Sequence, residues 1–154
     1  MPNHNYVMCR DARSMTLAQV GEFIADGSLL DEAPVFEPPL ASAALTPNLT
    51  SLSFRYRAEK RPVVIVRLTE LDEIAEVVAE AIATLREHQI DRTELVARLS
   101  ETRQIFHFEL GLELTDDCWE ALDATECYVA KLLDGVVFAA GGFYDRNLKA
   151  IVTW

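Results

Sequence analysis

His107 and Glu109 stand two residues apart, and on a strand that spacing points both to one side, with Glu113 further along it. A histidine flanked by carboxylates could ligate a metal ion or pass protons. The surrounding stretch alternates for most of its length. Phe106, Phe108, Leu110, Leu112 and Leu114 face one way, and His107, Glu109, Gly111 and Glu113 face the other. Period two with one apolar face predicts a half-buried strand, whose polar side is either solvated or covered by a helix. One histidine with separated carboxylates does not make a metal signature. We therefore assign no catalytic, cofactor or metal residues from the sequence.

The remaining reactive side chains read as packing or surface groups. Cys118 sits at a helix start, which can lower a thiol pKa, but Asp116 and Asp117 oppose a thiolate there. Cys118 and Cys127 lie nine apart and face different directions on a helix, and with Cys9 they make an odd number, so a disulfide framework is not expected. Buried reduced thiols are the simpler reading. His4 and His88 are isolated in the sequence and fit surface or loop positions. Gly141-Gly142 fits a turn and lacks the spacing of a phosphate-binding loop.

Charge is the stronger signal. From Glu109 to Glu126 there are seven acids (Glu109, Glu113, Asp116, Asp117, Glu120, Asp123, Glu126) and no Lys or Arg. Glu109, Glu113, Asp116, Glu120 and Asp123 are the expected partner-binding surface, if the strand face and the helix face are contiguous. Such a surface would steer a basic protein by long-range attraction. Arg55, Arg57, Lys60, Arg61 and Arg67 cluster upstream and could instead neutralise the acids internally.

The elements that would carry these groups follow from periodicity and caps. Tyr6–Cys9 predicts a first strand. Thr16 and Gln19 form a capping box ahead of a helix near Leu17–Ala25, with Gly27 as its stop. Residues 31–48 hold Pro34, Pro38, Pro39 and Pro47 and read as an ordered crossing loop. Leu52–Tyr56 and Val63–Val66 predict a hairpin. Thr69 is placed to cap a helix near Glu70–Arg86, and Asp91 with Glu94 resembles a further capping box. Strands over Phe106–Leu112 and Val136–Ala139 flank a helix over Asp116–Leu133, capped by Thr115 and ended by Asp134-Gly135. A last strand falls over Ala150–Thr153. The expected core includes Phe54, Ile65, Ile74, Val78, Phe106, Phe108, Leu122, Val129 and Val137.

These elements predict one α+β domain over residues 1–154: a two-layer sandwich with a largely antiparallel sheet and helices on one face. Each end of the chain reads βαββ, an echo of ferredoxin-like plaits. At 154 residues, half of them hydrophobic, the chain has material for one core. The net charge of −11 argues against general nucleic-acid binding, which needs clustered Lys and Arg. No secretion signal or membrane span is expected, so the predicted location is cytoplasmic.

Three segments carry a resemblance: Trp119-Glu120-Ala121-Leu122, then Lys131-Leu132-Leu133-Asp134-Gly135-Val136-Val137-Phe138, then Gly142-Phe143-Tyr144-Asp145. Together they resemble small bacterial α+β families that include immunity proteins of polymorphic toxin systems. The resemblance implies a non-enzymatic module that binds and blocks another protein, a basic toxin being a fitting partner, and it transfers no functional residues. The alternatives are a small enzyme or metal-binding protein using His107 and nearby carboxylates, and a structural subunit that self-associates.

Overall fold

The computed structural model describes residues 3–154. Its strands are β1 (Asn3–Cys9), β2 (Val35–Glu37), β3 (Ser51–Arg55), β4 (Val63–Leu68), β5 (Gln104–Leu110), β6 (Gly135–Ala139), β7 (Gly142–Tyr144) and β8 (Ala150–Thr153). Its helices are α1 (Leu17–Asp26), α2 (Leu40–Ala43), α3 (Leu71–Glu87), α4 (Thr93–Ser100) and α5 (Asp116–Leu133). The strands form a single eight-stranded sheet in the order β2-β3-β4-β5-β1-β6-β7-β8, with every neighbouring pair antiparallel. The α+β class and the antiparallel sheet are as the periodicity predicts. No helix among the described residues is long and apolar enough to cross a membrane.

The helices, however, occupy both faces of the sheet. Val7 and Cys9 of β1 point into a core with α1 and α5, where Leu17, Val20, Ile24, Cys118, Leu122, Val129 and Leu133 meet Phe54, Ile65, Phe106 and Phe108. Met8, between them, points into a second core with α3 and α4, where Ile74, Val77, Ala81, Leu85, Leu95 and Leu99 meet Ile105, Val136 and Phe138. The central strands are thus buried on two sides, which is why Val136-Val137-Phe138 is continuously apolar rather than alternating. The expectation of helices on one face is corrected accordingly. The βαββ echo also stays in the order of elements and does not extend to pairing. β4, the last strand of the first set, lies on β5, whereas β6, the first strand after α5, lies on β1.

Of the expected caps, one forms. Thr16 accepts from the Gln19 amide while the Gln19 side chain accepts from the Thr16 amide, so the capping box that starts α1 is present. Thr115, Glu70 and Arg92 precede α5, α3 and α4 without a side-chain cap bond, so the caps expected from Thr115, Thr69 and Asp91 do not form. Of the expected core residues, Val78 is only partly buried, and Val77 takes the inward position on α3. Within the crossing loop, β2 and α2 form, and Phe36 of β2 packs against the core.

The end of α5 differs from its expected form. Asp134 itself takes the left-handed conformation (φ 54°), leaving Gly135 to open β6. Short polar side chains tolerate that region, and Asp134 gains two partners there: Arg10 at 2.7 Å and Arg98 at 3.0 Å. Burial opposes the charge, but the two guanidinium groups hold the Asp134 pKa below its ordinary value. Gly135 is needed for a different reason. A Cβ there would lie 2.8 Å from Val7 Cγ1 and 3.1 Å from Ala130 Cα, because the helix end and the central strand approach closely. Gly135→Ala should therefore cost about 1–3 kcal/mol by overpacking. Thermal denaturation measures this, and an unchanged midpoint would mean that α5 and β1 part easily.

Candidate functional site

β1 carries chemistry on both of its faces near its N-terminal end. Toward α3 point His4 and Tyr6; toward α5 point Asn3 and Asn5. Each set meets acidic or imidazole side chains from another element, giving two clusters separated by the sheet.

On the α3 side, register does the positioning. β1 and β5 pair so that His4 lies opposite Glu109 and Tyr6 opposite His107, and β4 continues both rungs with Val64 and Val66. Side chains on directly opposed positions have Cβ atoms about 4.5–5.5 Å apart, so neighbouring rungs bring all four polar groups within reach of one another. His4 Nδ1 and His107 Nε2 are 2.7 Å apart. The Tyr6 ring stacks on His107 with centroids 4.5 Å apart, and Phe138 follows Tyr6 at 5.8 Å. One ligand atom from each of His4, His107 and Glu109 lies within 4.8 Å of the others, and all three residues are partly buried. Burial pushes the His107 pKa down, as does neighbouring His4, against the pull of Glu109. Tyr6 is shifted up by burial and by the charges of Glu80 and Glu109.

On the α5 side, Asn3, Asn5, Trp119, Asp123, Glu126, Val137, Tyr144 and Leu148 are among the walls of a pocket of about 350 Å³. Its lining contains no Lys or Arg. Glu126 is 2 % exposed, and the Asn5 amide nitrogen donates to Glu126 Oε1 at 3.0 Å. Burial pushes the Glu126 carboxyl up to about 7; the Asn5 hydrogen bond opposes that rise and the charge of Asp123 adds to it. Asp123, one helical turn earlier at the pocket edge, is also raised by burial. Trp119, Asp123 and Glu126 follow one another at i, i+4 and i+7, a single stripe of α5.

The residues singled out by sequence fall on different sides. Glu109 points toward α3, whereas Asp116, Glu120 and Asp123 line the exposed side of α5 across the sheet, so the strand acid and the helix acids do not share one surface. Glu113 lies beyond β5 in an exposed turn at φ 56°, where its carbonyl accepts from Lys60 Nζ at 2.8 Å, so it does not join His107 and Glu109. Internal neutralisation is confined to one place. Arg57 pairs with Asp117 at 3.0 Å and with Asp31 and Glu32 at 3.2 Å each. Burial works against the Asp117 charge, but the Asp31 amide and Arg57 hold its pKa down at about 2. Among the described residues, Asp116, Glu120, Asp123 and Glu126 have no salt bridge.

Two of the three cysteines are placed as packing residues, and Cys127 is half-buried. Cys9 and Cys118 are buried, and burial pushes the Cys118 thiol up to about 12, away from a reactive thiolate. His88 lies at the end of α3 and stacks on Trp154 with centroids 4.6 Å apart. The sequence reading missed His4 and Glu126. His4 alternates with Tyr6 and Met8, so extending β1 by two residues would have set it on their face, but its partner depends on pairing. Glu126 falls on the apolar stripe of α5 between Leu122 and Val129, and an acid on a buried stripe is itself the signal.

No family model, curated protein or solved structure matches this chain, so its function is to be read from these two clusters.

Proposed function

We propose that this protein is a non-enzymatic binding module that receives a basic segment of a partner protein along α5, seating one Lys or Arg side chain in the Glu126 pocket. One observation carries the reading: a buried carboxylate with a single neutral hydrogen-bond partner, in a pocket lined by acceptors and aromatic rings and lacking any cation. An ionised carboxylate is costly to bury alone, and an arriving cation supplies the missing charge. Trp119 and Tyr144 line the same pocket, and aromatic rings attract a cation seated over them. Asp123 at the pocket edge continues outward through Asp116 and Glu120 as an acidic stripe without salt bridges, which would attract the segment from a distance. The net charge of −11 favours the same encounter.

The resemblance of the C-terminal half to immunity-protein families agrees with such a role. A cytoplasmic inhibitor of a basic toxin is the form of the proposal that this resemblance favours. The acidic surface is smaller than the sequence suggested, since Glu109 and Glu113 lie apart from the helix stripe.

A lysine-rich peptide titrated into the protein by calorimetry provides a first test. Binding should be saturable, should weaken as salt rises, and should be abolished in Glu126→Gln and Trp119→Ala. Once a partner is isolated from the native source, reversing Glu120 and Asp123 to Lys should slow association by roughly tenfold or more at low ionic strength while leaving the thermal midpoint in place. Association rates that do not respond to these reversals at low salt would remove the proposal.

A further inference from the structure

We propose that His4, His107 and Glu109 form a binding site for a divalent transition-metal ion of the zinc type. The site lies on the α3 face, across the sheet from the Glu126 pocket, so neither proposal depends on the other.

Its geometry comes from a rigid part of the molecule. β1 and β5 are paired along their whole lengths, and the cross-strand register fixes His4 beside Glu109 and His107 one rung along. Ligands on paired central strands are held more firmly than ligands on loops. The contact at 2.7 Å between His4 Nδ1 and His107 Nε2 requires one nitrogen to donate and the other to accept. Two imidazoles therefore converge on one proton, and a metal ion in that place would take a lone pair from each. With metal–nitrogen bonds of about 2.0–2.1 Å at tetrahedral angles, the two nitrogens would stand roughly 3.3–3.4 Å apart. The present spacing reaches that value by opening less than about 1 Å, which small side-chain rotations supply.

Two further observations point to a ligand. Among the described residues, the Glu109 carboxylate has no hydrogen-bond or salt-bridge partner, although the residue is partly buried beside two histidines. The Tyr6 ring stacks on His107, and Phe138 stacks on Tyr6 in turn, so the orientation of the liganding imidazole is fixed by packing. Two imidazoles with one carboxylate suit zinc and neighbouring transition ions, whereas calcium and magnesium prefer all-oxygen sites. Three protein ligands leave a fourth position for water or for a donor from a bound molecule. Glu80 of α3, whose charge acts on Tyr6, adds a further carboxylate to this face.

The test uses the full chain after chelator treatment, titrated with Zn²⁺ by calorimetry and with Co²⁺ by visible absorption. We expect one equivalent of each ion, and ligand-field bands of a four- or five-coordinate cobalt site. His4→Ala and His107→Ala should each weaken binding by about 100-fold or more, and Glu109→Gln by about tenfold or more, since even residues behind metal ligands are worth about 10–100-fold. His88→Ala should bind as the parent does, because His88 stacks on Trp154 away from the cluster. Circular dichroism checks folding, and if a histidine variant unfolds, Glu109→Gln carries the comparison. The proposal is overturned if no ion binds at one equivalent, if binding persists in the folded His4, His107 or Glu109 variants, or if it is lost in His88→Ala.

Discussion

Glu126→Gln should raise the thermal midpoint at pH 8 by roughly 5–10 °C while leaving it almost unchanged at pH 4.5. Glu126 is 2 % exposed, and its folded-state pKa stands at about 7 against an ordinary 4.5. A carboxyl whose pKa is raised by folding contributes its stability in full below the unfolded value and loses it as pH rises through the folded value. The wild type should accordingly lose stability between about pH 4.5 and a little above pH 7, then level off. A difference of that order corresponds to about 3 kcal/mol, and each kcal/mol moves the midpoint of a domain this size by about 2–4 °C. Glutamine keeps the shape and the oxygen that accepts from Asn5, but never ionises. Thermal melts of both proteins from pH 4 to 9 decide the matter. Parallel curves for the two proteins would show that Glu126 is not the group held out of its ordinary range. If the pocket serves a basic partner, the same substitution should stabilise the free protein and remove binding, the exchange expected where a strained group is kept for function.

Leu122→Asp should leave the protein largely unfolded at neutral pH. Leu122 is fully buried on the inner stripe of α5, in the core that includes Phe106, Phe108 and Val7. Removing a buried leucine side chain typically costs about 2–5 kcal/mol, and placing a carboxylate there without a partner adds several more. Domains of this kind have only about 5–15 kcal/mol to lose. Leu122→Ala gives the graded comparison, with an expected loss of about 2–5 kcal/mol in urea denaturation. A Leu122→Asp protein that melts at the parental temperature would overturn the assignment of this helix face.

What the sequence determined by itself is the local part of the fold. Alternation in β5, the helical stripes of α1, α3 and α5, and the capping box at Thr16 are set by neighbours within a few residues, where period and hydrogen-bonding chemistry leave little choice. The side of β5 on which His107 and Glu109 lie was legible for the same reason. The face of the sheet that each helix covers was not legible, because a strand does not record which long connection crosses above it. The apolar run Val136-Val137-Phe138 held the one hint of burial on two sides. Only the tertiary structure could pair His4 with His107, 103 residues away, since strand register between distant segments is decided by packing. The inward turn of Glu126 was legible from its place on the apolar stripe, whereas its partner Asn5 and the pocket around it were decided by packing. α5 sits with its Leu122–Val129 stripe on the sheet, and an acid on that stripe must follow the leucines into the core.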